Sequence, residues 1–208
     1  MVRAATWPRP IPKGHSWRTL VGEGWPAHVR VLHPASRWID GVEHPVRWRE
    51  IAPEGVSIAT AGWFEVSGIR LHEGTAGPGW DHEPDIGPSP LILPVLLRQI
   101  LTGCSEGRLW MGEWDGWGSR RRPAVSRSLT VPGRRYHMTA TSPRELLTSL
   151  DPDRLPDVVW DEAGTFIILA DIDLPSTIVG CQKGIAEGLL RNPNLEAVRV
   201  DGGAPIVT

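Results

Sequence analysis

The chain has 208 residues, 40% of them hydrophobic and 22% charged, enough to bury a core in one compact domain or two small ones. Its 22 basic and 24 acidic side chains leave a net charge of -2, which excludes the positive field that bulk nucleic-acid binding requires. The longest apolar run, 91–97, is short and holds Pro94, and residues 1–13 lack an apolar signal core, so a cytoplasmic protein with no membrane contact is expected.

In chain order, 28–34 (HVRVLHP) predicts a short strand with Val29, Val31 and His33 on one face and Arg30 and Leu32 on the other. Residues 45–52 predict a short helix with proline in its first turn. The stretch 75–90 mixes Gly, Pro, Asp and His without periodicity and reads as a surface loop. It leads into a helix over 91–102, where Leu93, Leu96, Leu97, Ile100 and Leu101 recur every three or four residues as one apolar stripe. Short strands follow at 108–114, 128–131 and 135–139. Ser142-Pro143-Arg144-Glu145 is a capping box with proline at the first helical position, so a helix runs over 143–150. Strands at 158–160 and 165–173, an amphipathic helix at 180–191 stopped by Asn192-Pro193, and a last strand at 195–200 complete the pattern.

Ten of the eleven tryptophans precede residue 118, so the first half is expected to be irregular backbone stapled by large aromatic side chains. The predicted fold class is α+β in a single domain over 1–208, with a possible sub-division near residue 119. It has a mainly antiparallel central sheet, a C-terminal strand-helix-strand unit and an irregular Trp-rich N-terminal region. Cys104 and Cys181 are the only thiols and have no metal-ligand spacing, which fits a reducing compartment.

Several motifs resemble an uncharacterised family of actinobacterial proteins. They are Arg30-Val31-Leu32-His33-Pro34-Ala35, Val46-Arg47-Trp48 with Ile51-Ala52, Trp114-Asp115-Gly116-Trp117-Gly118, 132–136 (PGRRY), and Ala170-Asp171-Ile172-Asp173 running into Ser176-Thr177 and Val179-Gly180. The resemblance implies a bacterial cytoplasmic origin and carries over no catalytic residue. Cys181 stands where that family has a second glycine, which argues against a glycine-rich phosphate loop at this point.

Asp171 and Asp173 stand two apart at the end of the apolar strand 165–173, so both carboxylates project from one face, placed to share a divalent metal. The strand-Asp-x-Asp pattern is similar to that of the phosphoryl-transferring haloacid dehalogenase proteins. Pro175 at the fifth position and the 35 residues that follow Asp173 argue against that fold. Two such carboxylates repel unless something positive lies between them, an ion or an arginine. With His33 or His82 as base or third ligand and Arg120, Arg121 and Arg122 on an anionic group, a metal-assisted hydrolase or phosphoryl-transfer enzyme is the alternative function.

The favoured reading comes from 108–136, where arginines interleave with Trp114, Trp117 and Tyr136. Guanidinium forks and aromatic faces are what phosphate binding and base stacking use, so the segment reads as a surface for an anionic ligand, a single strand or an acidic partner protein. Trp and Arg exposed in loops are common interface anchors. There is no Gly-x-Ser-x-Gly elbow, no Walker loop, and no helix to complete a dinucleotide fingerprint at 112–118. The expected function is therefore a non-enzymatic protein-binding module, immunity- or antitoxin-like, needing no cofactor. Its binding residues are Trp114, Trp117, Arg120, Arg121, Arg122 and Arg135, and its partner is another protein.

Overall fold

The computed structural model describes residues 5–74, 76–102, 107–117 and 127–207. The first half holds α1 (Trp17–Val21), β1 (Ala27–Leu32), β2 (Ala35–Ile39), β3 (Val42–Val46), and the short helices α2 (Trp48–Ile51) and α3 (Trp63–Ser67). After the 76–90 loop come α4 (Leu93–Leu101), β4 (Leu109–Trp114), β5 (Arg127–Val131), β6 (Arg134–Thr141) and α5 (Pro143–Ser149). The chain ends with β7 (Val158–Asp161), β8 (Phe166–Ala170), β9 (Ser176–Cys181), α6 (Lys183–Arg191) and β10 (Glu196–Val200).

Among the described residues, eight strands form one sheet in the order β10-β1-β9-β8-β7-β4-β6-β5, and β2 and β3 form a separate hairpin. Every neighbouring pair in the large sheet is antiparallel. The fold is thus α+β with a mainly antiparallel central sheet, as the sequence predicts. Because β9 and β10 both run antiparallel to β1, they are parallel to each other, and α6 joins them across the inserted first strand. The C-terminal strand-helix-strand unit is therefore split by a strand from the other end of the chain.

The two sheet faces follow the pleat. Val29, Val31, Phe166, Ile168, Val179 and Cys181 point to the layer of α4, α5 and α6. Ile167, Leu169, Ile178, Trp110 and Trp160 point to the opposite face, which α1 and the N-terminal segment cover with Trp17, Val21 and Trp25. A third cluster lies past the end of β1, where Trp63 packs edge-on against Trp48 at 5.4 Å and Trp80 at 5.2 Å, with Leu32 beneath. Each aromatic pair adds about 0.5–1.5 kcal/mol to the area it buries, which compensates the irregular backbone between them. No helix among the described residues is long and apolar enough to cross a membrane.

Three predicted elements are corrected. The helix over 45–52 shrinks to Trp48–Ile51, and Pro45 lies in β3, whose outer edge is unpaired among the described residues and tolerates a residue without an N–H. The strand over 165–173 stops at Ala170, because the Asp171 side chain folds back onto the Asp173 N–H and starts a turn. The helix over 180–191 begins only at Lys183, since Ser176–Cys181 is a fully buried strand.

Gly180 has a steric reason. A Cβ there would come within 2.6 Å of the Trp25 ring, which lies on the sheet and is held by its Nε1–H donating to the Val21 carbonyl at 2.9 Å. Cys181 points to the other face, so that position accepts a side chain. Gly180→Ala is expected to cost about 1–3 kcal/mol by overpacking, read as a lower urea midpoint with an unchanged m-value.

Candidate functional site

Asp171 and Asp173 meet an arginine. Arg134 Nη2 donates to Asp171 Oδ1 at 3.1 Å and to Asp173 Oδ2 at 2.5 Å, so the positive group between the two carboxylates comes from the start of β6. Burial works against the charge on Arg134, but Asp171 and then Asp173 outweigh it and hold the guanidinium above its ordinary value. The trio lies on the wall of a cleft of about 460 Å³, together with Trp7, Lys13 and Tyr136. Burial, and next the Asp171 charge, push the Tyr136 phenol upward, so it stays a neutral hydroxyl.

Asp171→Asn removes the charge that Arg134 pairs with while keeping the turn's shape. It is expected to cost about 1–3 kcal/mol in metal-free buffer, measured by chemical denaturation in the presence of a chelator.

Trp114 and Trp117 flank the turn after β4 and pack edge-on at 5.7 Å. Both answer to Asp157, a buried carboxylate whose Oδ2 accepts the Trp114 backbone N–H at 2.7 Å and whose Oδ1 accepts the Trp117 indole N–H at 2.9 Å. Both rings are half-buried, and the Arg134 guanidinium sits 5.9 Å from the centre of Trp114. Arg135 points the other way along β6, where its Nη1 lies 3.9 Å from Asp115 and the neighbouring His137 Nε2 lies 2.5 Å from the same carboxylate. Arg120, Arg121 and Arg122 lie outside the described residues. The sequence reading missed Asp157, which is 43 residues from Trp114 and stands in no motif with it.

His33 and His82 occupy different settings. His33 is fully buried, with Nδ1 2.7 Å from the Asp85 carbonyl and Nε2 2.9 Å from Thr177 Oγ1. The carbonyl can only accept, so Nδ1 carries the hydrogen and Nε2 accepts from the threonine hydroxyl. Burial lowers its pKa to about 4, against the Asp85 bond and with help from the Arg30 charge. His82 is exposed, and its backbone bridges to Ser36 of β2 in both directions. Among the described residues no three His, Cys, Asp or Glu side chains converge as a metal-ligand set.

A second concavity, about 280 Å³, opens where the hairpin meets the 76–90 loop. The pleat puts Ser36, Trp38 and Glu43 on its side of the hairpin, since Trp38 and Glu43 are directly opposite in register. Trp38 is 51% exposed and Leu91, which also lines the groove, is 47% exposed. No other tryptophan is exposed among the described residues. Asp40 and Gly41 form the two-residue turn with φ of 50° and 80°, as a type I′ hairpin turn demands. That Asp-Gly pair between alternating residues was the signal available for the hairpin, and reading 45–52 as a helix concealed it.

Comparison of the chain with protein-family models, with curated proteins and with solved structures found no match in any of the three.

Proposed function

We propose that this protein is a non-enzymatic protein-binding module, immunity- or antitoxin-like, that engages its partner through the groove beside Trp38. The observation that carries the reading is the exposure of Trp38 and Leu91, which line one groove, in a fold that buries seven other tryptophans. Exposed aromatic area in a rimmed concavity is the usual form of an interface anchor point. The groove's volume of about 280 Å³ has room for one or two anchoring side chains. Trp114 and Trp117, braced by Asp157, serve as support for the sheet end in this reading.

Capture from a lysate of the native host by the tagged full chain tests this. A discrete partner, recovered in near-stoichiometric amount, is expected to disappear with Trp38→Ser while the circular dichroism of the variant is unchanged. Retention of the same partner by Trp38→Ser would count against the proposal.

The second reading, a metal-assisted hydrolase or phosphoryl-transfer enzyme on Asp171 and Asp173, draws on the 460 Å³ cleft, which is within the size range of small-molecule sites. A divalent ion there has to compete with Arg134 for both carboxylates. A melting temperature that rises with Mg²⁺, Mn²⁺ or Zn²⁺ concentration is the result that favours it.

A further inference from the structure

We infer that the groove beside Trp38 takes a basic segment of the partner protein, one that lays a Lys or Arg side chain over the indole and between the carboxylates of Glu43, Glu83 and Asp85. The inference rests on the binding-module reading and names the chemistry of the partner.

Charge complementarity selects this occupant. Elsewhere several acidic residues pair with arginines: Asp171 and Asp173 with Arg134, Glu196 with Arg49, Glu113 with Arg154, and Glu162 with Arg108. Around the groove the partners are neutral. Glu83 accepts the His72 backbone N–H through both oxygens at 3.0 and 2.9 Å. Asp85 accepts the Ser89 hydroxyl at 2.9 Å, and Asp81, beside the groove, accepts the Trp38 N–H at 2.7 Å. None of Glu43, Asp81, Glu83 or Asp85 forms an ion pair among the described residues. Arg37 of the hairpin lies on the opposite face and bonds the Gly79 carbonyl. No Lys or Arg is among the described lining residues.

An exposed aromatic ring beside several carboxylates is complementary to a guanidinium or ammonium on an aliphatic stem. The ring face attracts the cation, the stem covers apolar area, and the carboxylates supply charge-assisted acceptors. A second copy of the chain does not fit, because a two-fold contact through this groove would set Glu43, Glu83 and Asp85 against their own copies. Strand addition does not fit either. In the hairpin register Glu43 and Pro45 face the open edge of β3, and Pro45 has no N–H to offer. The recognition therefore lies in side chains.

The full chain, with its tryptophans ¹⁵N-labelled at the indole, is titrated with a fluorescein-labelled nona-arginine peptide. Nona-glutamate and a glycine-serine peptide of equal length serve as comparisons. The Trp38 indole resonance is identified by its loss in Trp38→Ser. The expected result is a shift of that resonance with the arginine peptide alone, while those of buried Trp17 and Trp48 stay in place. Anisotropy is expected to show affinity reduced tenfold or more by Trp38→Ser and by Glu43→Lys. Ile39→Ser, on the opposite face of the hairpin, is expected to leave it unchanged. A Trp38 resonance that does not move, or equal affinity for wild type, Trp38→Ser and Glu43→Lys, overturns the inference. If a captured partner is lost with Trp38→Ser but contacts the groove through a segment without Lys or Arg, this inference fails and the binding-module reading stands. If capture survives Trp38→Ser, both fail.

Discussion

Arg30→Ala is expected to destabilise the protein by about 3–5 kcal/mol, a fall in melting temperature of roughly 6–20 °C for a chain of this size. Arg30 is completely buried in β1, on the face away from the three helices. Its Nη1 donates to the Ala61 carbonyl at 2.7 Å and its Nε to Ser176 Oγ at 3.1 Å, while Nη2 has no hydrogen-bond partner among the described residues. The guanidinium lies between two indoles, 5.3 Å from the centre of Trp17 and 5.0 Å from that of Trp48. Those rings belong to different apolar clusters, so Arg30 joins the N-terminal layer to the Trp-rich cluster past the sheet. Burial lowers its pKa to about 10, opposed by the Glu65 charge, and it stays protonated at neutral pH.

Removing the side chain leaves a void between two indoles and strands two acceptors. Arg30→Met fills most of that volume and removes the cost of burying a charge, so a loss of only about 1–2 kcal/mol is expected. Arg30→Lys keeps the charge but loses the planar face that both rings contact, and is expected to be worse than Met. Urea denaturation of the three variants separates the contributions. Equal losses for Ala and Met would show that packing between the two clusters does not depend on this residue.

Acidification is expected to destabilise the protein through His33. The imidazole has an ordinary pKa of 6.5 and about 4 when buried, so below pH 6.5 the unfolded chain takes up a proton that the folded chain refuses. The stabilisation is complete above pH 6.5 and disappears as the pH falls to about 4, a change of about 3 kcal/mol. His33→Gln keeps a donor for the Asp85 carbonyl and an acceptor for Thr177, and does not titrate. It is expected to be less stable than wild type at pH 7 and to close that gap by pH 4. Parallel stability curves for the two proteins between pH 7 and 4 would show that His33 contributes nothing to the acid sensitivity.

Where structure depends on neighbours a few residues away, the sequence was sufficient. The stripe of Leu93, Leu96, Leu97, Ile100 and Leu101 does face the core, and the Ser142 hydroxyl does accept the Glu145 N–H at the start of α5. β1, β4, β5, β6, β7 and β10 formed within one or two residues of their expected ends, because alternation and turn chemistry are local. The Asp-Gly hairpin was equally legible but was lost to a competing helix reading of Pro45.

Tertiary structure decided the rest. β9 had no legible signature: its six residues STIVGC are buried on both faces, so they show no alternation, and only pairing with β1 and β8 makes them a strand. Asp171 and Asp173 were visible as a pair needing a positive partner, yet Arg134 is 37 residues away and reaches them only when β6 and the β8–β9 turn line one cleft. Exposure of tryptophan was hidden for the same reason. Trp38 and Trp48 are both flanked by arginine in the sequence, and Trp48 is buried because Leu32, Trp63 and Arg30 close over it, whereas Trp38 stays 51% exposed on its hairpin. Local propensity is set by contacts within about one turn of helix or one strand pair. Burial and ion pairing are set by residues that folding alone brings together.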